Sequence, residues 1–135
     1  QNRSHYYRLL DRVRTRGDWE AWIEFFLEGV EKTAAGAVDT AGRLMALFTD
    51  HRSRIQEVGR KASSALRVHD ALKSRPVHRL QDVASSTGLS FPAAAAGMGV
   101  LMELQIAREV TGKQRNRVFS YDGYLAILNE GTENL

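Results

Sequence analysis

The sequence of 135 residues contains no cysteine. No disulfide, zinc–thiolate site or thiol nucleophile can therefore be built. That absence is compatible with a cytoplasmic setting, which is the expected localisation. Proline occurs only at Pro76 and Pro92, so long stretches are free to be helical. No apolar run approaches the roughly 20 residues of a membrane span, and no membrane partner is expected. No signal peptide opens the chain, which starts at Gln1; a piece of a longer or processed protein is expected. The net charge of +3 is mild and singles out no partner by itself.

Catalytic patterns are also lacking. His5, His51, His69 and His78 show no H-E-x-x-H or other metal-ligand spacing. Glu20, Glu24 and Glu28 share one helical face, but acid/base work requires burial to separate their pKa values, and a solvated stripe is the simpler reading. Thr111-Gly112-Lys113 lacks the other positions of a phosphate loop, and no serine stands in a nucleophile elbow. Catalytic, cofactor-binding and metal-binding residues are therefore all assigned as none.

What is present is helical periodicity. A first helix from Arg3 to about Arg14 carries Tyr6, Tyr7, Leu10 and Val13 at helical spacing. Thr15-Arg16-Gly17-Asp18 breaks it, with Gly17 as a left-handed stop and Asp18 as the next N-cap. Arg3, Arg8, Arg12, Arg14 and Arg16 precede Asp18, Glu20, Glu24, Glu28 and Glu31. These could pair across a helical hairpin or form two solvated faces; exposed pairs contribute about 0–1 kcal/mol. Trp19, Trp22, Ile23, Phe26, Leu27 and Val30, widened by Phe25, form an apolar stripe that must bury against other helices.

Ala34, Ala37, Ala41, Leu44, Phe48, His51, Ile55 and Val58 continue in alternating steps of three and four, a heptad seam. One long helix from Trp19 to about Glu57 is predicted, although Gly29, Gly36 and Gly42 each cost about 1 kcal/mol relative to alanine. The seam either pairs with a second copy or packs inside its own chain. Leu44, Phe48, His51 and Ile55 are its candidate interface residues. Val58-Gly59-Arg60 reads as a hinge, and another helix follows from Ala62 to Ser74.

From Pro76 to Tyr121 the order is distinctive. Val77-His78 can form a short strand. Leu80–Thr87 is a short helix burying Leu80, Val83 and Ala84, although Arg79 occupies the cap position where serine, threonine or aspartate serves better. Gly88 suits a tight turn with positive φ. Ser90 can cap the next helix and Pro92 fits its first turn, from Phe91 to about Leu104. Its buried side is Ala94, Met98, Leu101 and Leu104. The period then becomes two: Ile106, Arg108 and Val110 lead into a Gly-containing loop, and Arg117, Phe119 and Tyr121 lead out. A helix, a glycine turn, a second helix and a basic hairpin make a winged helix-turn-helix. Asp122 is placed to cap a last helix, Tyr124–Leu128, with a fraying tail from Gly131.

The outward positions of the second motif helix are Phe91, Ala93, Ala95, Ala96, Gly99 and Val100. None can make a bidentate hydrogen bond to a base edge, so direct readout of DNA by that helix is not expected. Lys113, Gln114, Arg115, Asn116 and Arg117 of the wing could contact phosphates, which gives weak, sequence-blind binding. The row Phe91, Val100 and Met102 suits a protein partner better.

Several stretches resemble one family. Tyr6-Tyr7-Arg8-Leu9-Leu10-Asp11-Arg12-Val13-Arg14-Thr15-Arg16-Gly17-Asp18-Trp19-Glu20-Ala21-Trp22 and Phe25-Phe26-Leu27-Glu28-Gly29-Val30 look like the end of a Fic (filamentation induced by cAMP) domain. Glu109-Val110-Thr111-Gly112, Arg115-Asn116-Arg117-Val118-Phe119 and Tyr124-Leu125-Ala126-Ile127-Leu128-Asn129-Glu130-Gly131-Thr132 resemble the winged-helix tail of the same proteins. The resemblance implies a parent that moves AMP from ATP to a protein hydroxyl, with a divalent metal on the phosphates. The family's His-Pro-Phe, acidic, Gly-Asn-Gly-Arg loop is absent and would lie before Gln1. The inhibitory pattern is absent too, since Ser53 and Glu57 are followed by Val58. No catalytic or inhibitory residue carries over, and this piece alone is not expected to transfer AMP. At Ala93–Gly97 it departs from the more polar residues usual in the family.

The expectation is thus mainly α: a helical hairpin and long helix leading into a winged helix-turn-helix domain with a small β wing. Residues 1–58 are the closing helices of a Fic-like domain plus a linking helix, and residues 59–135 are the winged module. Its expected role is partner recognition, regulation or dimerisation, with the upstream catalytic domain, a protein substrate or a second copy as partner. The alternative is a DNA-binding transcriptional regulator.

Overall fold

The computed structural model describes residues 3–130. The chain is mainly helical with one small antiparallel sheet. It divides into two compact units, one up to Asp39 and one from Thr40.

The first unit holds α1 (Arg3–Arg16) and the opening part of α2 (Trp19–Gln56). Gly17 ends α1 at φ +65°, with its N–H donating to the Val13 carbonyl at 3.0 Å. This is the left-handed termination expected of a glycine at that place. Asp18 receives Arg12 at 2.5 Å. Leu9 is buried, and the Phe25 ring lies 5.3 Å from that of His5. The apolar stripe of α2, expected to bury, does not. Trp19, Phe26 and Leu27 remain 59%, 53% and 57% exposed, and Ile23 and Val30 are exposed as well. The physical reason is reach: α1 has 14 residues and its rings meet Phe25, to one side of the stripe.

The second unit begins in the later part of α2. After a 3-10 turn (Gly59–Lys61) come α3 (Ala62–Ser74), β1 (Val77–Arg79), α4 (Leu80–Thr87), α5 (Phe91–Glu103), β2 (Arg108–Glu109), β3 (Val118–Ser120) and α6 (Asp122–Asn129). The strands run in the order β1-β3-β2, both pairings antiparallel, with Val77 opposite Ser120 and Arg108 opposite Ser120 on the other edge. Arg75 is extended, as a residue before proline tends to be. Gly88 turns α4 into α5 at φ +65°, and the Ser90 hydroxyl accepts from the Ala93 N–H at 3.4 Å.

One core serves this unit. Ile55, Val68, Leu72, Met98, Leu101, Ile106, Phe119 and Tyr121 are all 2% exposed or less. Each such aliphatic or aromatic side chain contributes about 1.5–3 kcal/mol on burial. The α3–α5 crossing is tight at Gly97, where an added Cβ would stand 2.9 Å from the Ser64 carbonyl carbon and oxygen.

Several expectations require correction. Val100, expected to face outward, is 3% exposed: the buried side of α5 takes in Ala94, Gly97, Met98, Val100 and Leu101 because α5 has neighbours on more than one side. Leu104, expected in the core, is only partly buried at the C-cap of α5. In the heptad seam, His51 and Ile55 are buried and Phe48 packs on the core, so these residues are occupied within their own chain rather than offered to a second copy. Leu44 is half-buried, and Ala34, Ala37 and Ala41 are exposed. Asp122 is the first residue of α6, not its cap. Its carboxylate takes both Arg108 nitrogens, at 2.5 and 3.2 Å, and the Ser120 hydroxyl at 2.5 Å. These bonds, Arg108 first, hold the Asp122 carboxyl below its ordinary pKa. The tail expected to fray from Gly131 lies outside the described residues. Among those described, no helix is long and apolar enough to cross a membrane.

Candidate functional site

The β2–β3 loop is held by a small polar network. Thr111 Oγ1 donates to Glu109 Oε1 at 2.9 Å and accepts from the Val118 N–H at 3.3 Å. Arg117 Nη2 donates to Glu109 Oε2 at 2.9 Å, and its guanidinium carbon stands 5.0 Å from the Phe119 ring centroid. Hydrogen bonds from Arg117 first, then Thr111, lower the Glu109 pKa. Gly112 and Asn116 both have positive φ, +60° and +53°. Asparagine is among the few side chains that take this conformation readily. The hairpin tip is thereby shaped by local chemistry.

The hairpin is also bonded to the helical motif. The Leu80 N–H at the start of α4 donates to the Arg117 carbonyl at 3.1 Å. One of the N–H groups left open at the start of α4 is thereby satisfied from the hairpin, while Arg79 itself forms no side-chain cap hydrogen bond.

Between these parts lies a cleft of about 390 Å³ lined by Arg79, Leu80, Gln81, Asp82, Phe91, Gln114, Arg115, Asn116 and Arg117. The volume is within the range of small-ligand sites. The structure thus brings Phe91, expected at a protein interface, together with Gln114, Arg115, Asn116 and Arg117, expected at nucleic acid. Lys113 is exposed on the loop but does not line the cleft. Met102 is at the other end of α5 from Phe91, and Val100 is buried between them, so the apolar row is broken. Gln81 and Asp82 carry no signal in the sequence, and Arg79 stands out there only as a poor cap. The anomalous arginine at a cap position was the one available signal.

The lining arginines differ in state. Arg117 is committed to Glu109. Arg79 and Arg115 form no ion pair among the described residues. Phe91 is 55% exposed.

A second cluster is buried. His51 Nδ1 lies 2.7 Å from the Tyr121 hydroxyl, and His69 Nε2 lies 3.1 Å from it. The Phe48 and Tyr124 rings pack on Tyr121 at 5.8 and 5.9 Å. Burial, and then the Lys73 ammonium, push the His69 pKa down to about 4; burial lowers His51 and raises Tyr121. Such a shift can mark a functional group, but this cluster lies apart from the cleft just described and reads as a structural network. Among the described residues, no group of three or more histidine or carboxylate side chains could hold a metal ion.

No protein-family model matches the chain, and no curated protein matches it either.

Proposed function

We propose that the chain is the non-catalytic C-terminal part of a Fic-like protein that transfers AMP from ATP to a protein hydroxyl, and that its second unit is a winged helix-turn-helix module serving partner recognition. The sequence phrases resembling a Fic terminus motivate this reading. ATP and the divalent metal would belong to the parent's catalytic domain. The order α3, β1, α4, glycine turn, α5 and β2–β3 hairpin is the order of a winged helix. The uncovered stripe Trp19, Ile23, Phe26, Leu27 and Val30 is the kind of surface that closing helices turn toward the body of a catalytic domain. That body would be the first partner.

The observation that carries the recognition role is the cleft. It joins α4, α5 and the hairpin at Arg79, Phe91 and Arg115, and the two arginines form no ion pair among the described residues. The rival, a sequence-reading transcriptional regulator, finds less support. The exposed residues of α5, Phe91, Pro92, Ala96 and Met102, carry no polar side-chain atom able to pair with a base edge; Glu103, at the helix end, is the exception.

Two measurements test the proposal. The residues preceding Gln1 in the parent are expected to include a His-Pro-Phe, acidic, Gly-Asn-Gly-Arg loop; a parent without it overturns the Fic reading. Ending that parent at Glu57 is expected to change which proteins receive AMP or how fast. An unchanged pattern overturns the recognition role. Tight binding to one duplex sequence at physiological salt, lost in Arg115→Ala and Arg117→Ala, would favour the regulator.

A further inference from the structure

The composition of the cleft says more about its ligand than its charge does. Two arginines, Arg79 and Arg115, are free to take an anion. Guanidinium groups suit phosphate oxygens, which they can hold in a two-pronged manner. Yet the lining is not purely cationic. Asp82 contributes a carboxylate, which accepts hydrogen bonds and repels anions. Gln81, Gln114 and Asn116 contribute amides that both donate and accept. Phe91 contributes a ring that is 55% exposed at the first position of a helix.

A plain anion would use the arginines and leave the amides and ring idle. An acidic peptide would meet Asp82 with like charge. A flat heteroaromatic group that donates and accepts hydrogen bonds, attached to a phosphate, uses every part. The base lies on the ring, its edges meet the amides and Asp82, and the phosphate meets the arginines. Stacking of a base on an aromatic side chain contributes substantially and tolerates any base. The volume of about 390 Å³ suits one such unit. Paired bases in a duplex are already stacked on both faces, so Phe91 would have no base face to meet.

We propose that this cleft binds one phosphorylated nucleoside, with its base against Phe91 and its phosphate at Arg79 and Arg115. This rests on the reading of the cleft as a recognition site and names its ligand. The unit can come from a free nucleoside monophosphate or from an unpaired nucleotide in a single strand. The two sources share the chemistry.

The experiment titrates the chain, by calorimetry, with AMP, GMP, CMP and UMP, with a single-stranded 12-mer, with the same 12-mer as a duplex, and with polyglutamate. Saturable binding of the monophosphates, or of the single strand alone, supports the proposal and identifies the source. In either case Phe91→Ala is expected to weaken binding at least tenfold, while Phe91→Tyr, which keeps a stacking ring, retains it. Arg79→Ala and Arg115→Ala are each expected to lower the salt slope of strand binding, by about 0.7 in log–log units. All three side chains are exposed, so the folded state is expected to survive, with denaturation midpoints as the control. Binding that ignores Phe91→Ala, or duplex bound as tightly as single strand, overturns the proposal. Polyglutamate bound through the same arginines, with no nucleotide bound, also overturns it but leaves the partner-recognition role standing. Absence of all binding overturns it as well, and the recognition role then rests on the Glu57 truncation alone.

Discussion

The Tyr121 hydroxyl and the His51 imidazole meet at 2.7 Å in the interior of the second unit, and His69 reaches the same hydroxyl from α3 at 3.1 Å. One oxygen thus joins α2, α3 and the β3–α6 junction. A hydroxyl has one proton, so it donates to one ring and accepts from the other. Donation to His51 Nδ1 and acceptance from His69 Nε2–H satisfies both contacts. It leaves His69 Nδ1, which has no partner, as a bare acceptor rather than a stranded N–H.

Removing the hydroxyl should therefore be costly. Tyr121→Phe keeps the ring, which is fully buried, and strands one donor and one acceptor on the two histidines. The expected loss is about 2–3 kcal/mol, read as a lower urea midpoint with an unchanged slope. A change under 0.5 kcal/mol would show that water or a rearranged ring replaces the bond.

The same cluster sets a pH dependence. His69 titrates at about 4 in the folded chain, lowered by burial first and by Lys73 next, with Asp70 acting against them and His51 and Arg52 adding to the fall. In the unfolded chain it titrates near its ordinary 6.5. Between these values the unfolded chain binds more protons, so stability rises with pH there. The contribution is complete above about 6.5 and is lost progressively as pH falls toward 4. His51 acts in the same direction through its own burial. The expected loss from His69 by pH 4 is about 3 kcal/mol. Urea midpoints at pH 7.5, 5.5 and 4.5 should decline in that order, and His69→Gln should flatten the trend.

Much of this architecture is legible from residue spacing alone, and the failures have physical causes. Gly17, Gly88 and Pro76 mark element ends because few other residues fit those backbones. α3, α4 and the short strand at Val77 follow from local periodicity and lie where expected. Val100 was misplaced because a single-stripe reading assumes a helix with one neighbour, whereas α5 is covered on a wider arc. Phe48 and His51 sit on a regular seam whichever partner covers it, and periodicity does not say whether that partner is the chain's own α3 or a second copy. The Tyr121 network joins positions 51, 69 and 121, and sequence order gives no hint of so long-range a meeting. The cleft was half visible. Its hairpin side showed as basic residues, but its α4 side, Arg79 to Asp82, lies nearly forty residues earlier.

Two glycines of α5 should respond to alanine with opposite signs. At Gly97 the new methyl would meet the Ser64 backbone at 2.9 Å and Val68 Cγ2 at 3.0 Å, neither of which can swing aside. The helices must part, and the gain of about 1 kcal/mol in helix propensity does not offset overpacking of about 1–3 kcal/mol. At Gly99 nothing lies within 4 Å, so the propensity gain should appear as a stabilisation of about 0.5–1 kcal/mol. Thermal midpoints of Gly97→Ala and Gly99→Ala, compared with the parent chain, read the two directly. A stabilised Gly97→Ala would mean that the α3–α5 crossing is looser than described.

The uncovered stripe of α2 makes the last prediction. Trp19, Phe26, Leu27 and Val30 are half-exposed or more, and Trp22 stacks on Phe26 at 5.5 Å to extend the same surface. An exposed apolar surface of this kind favours association. The isolated chain should show concentration-dependent mass in light scattering. Phe26→Lys combined with Leu27→Glu should abolish that association while leaving the second unit's stability unchanged, since no residue in its core cluster or packed against it lies before Leu47. Phe48→Asp should behave in the opposite way. Its ring packs on His69, Tyr121 and Tyr124, so the substitution should lower stability by about 3–4 kcal/mol and leave the association in place. If Phe48→Asp instead dissolves the association without loss of stability, the seam, and not the stripe, is the surface that joins copies.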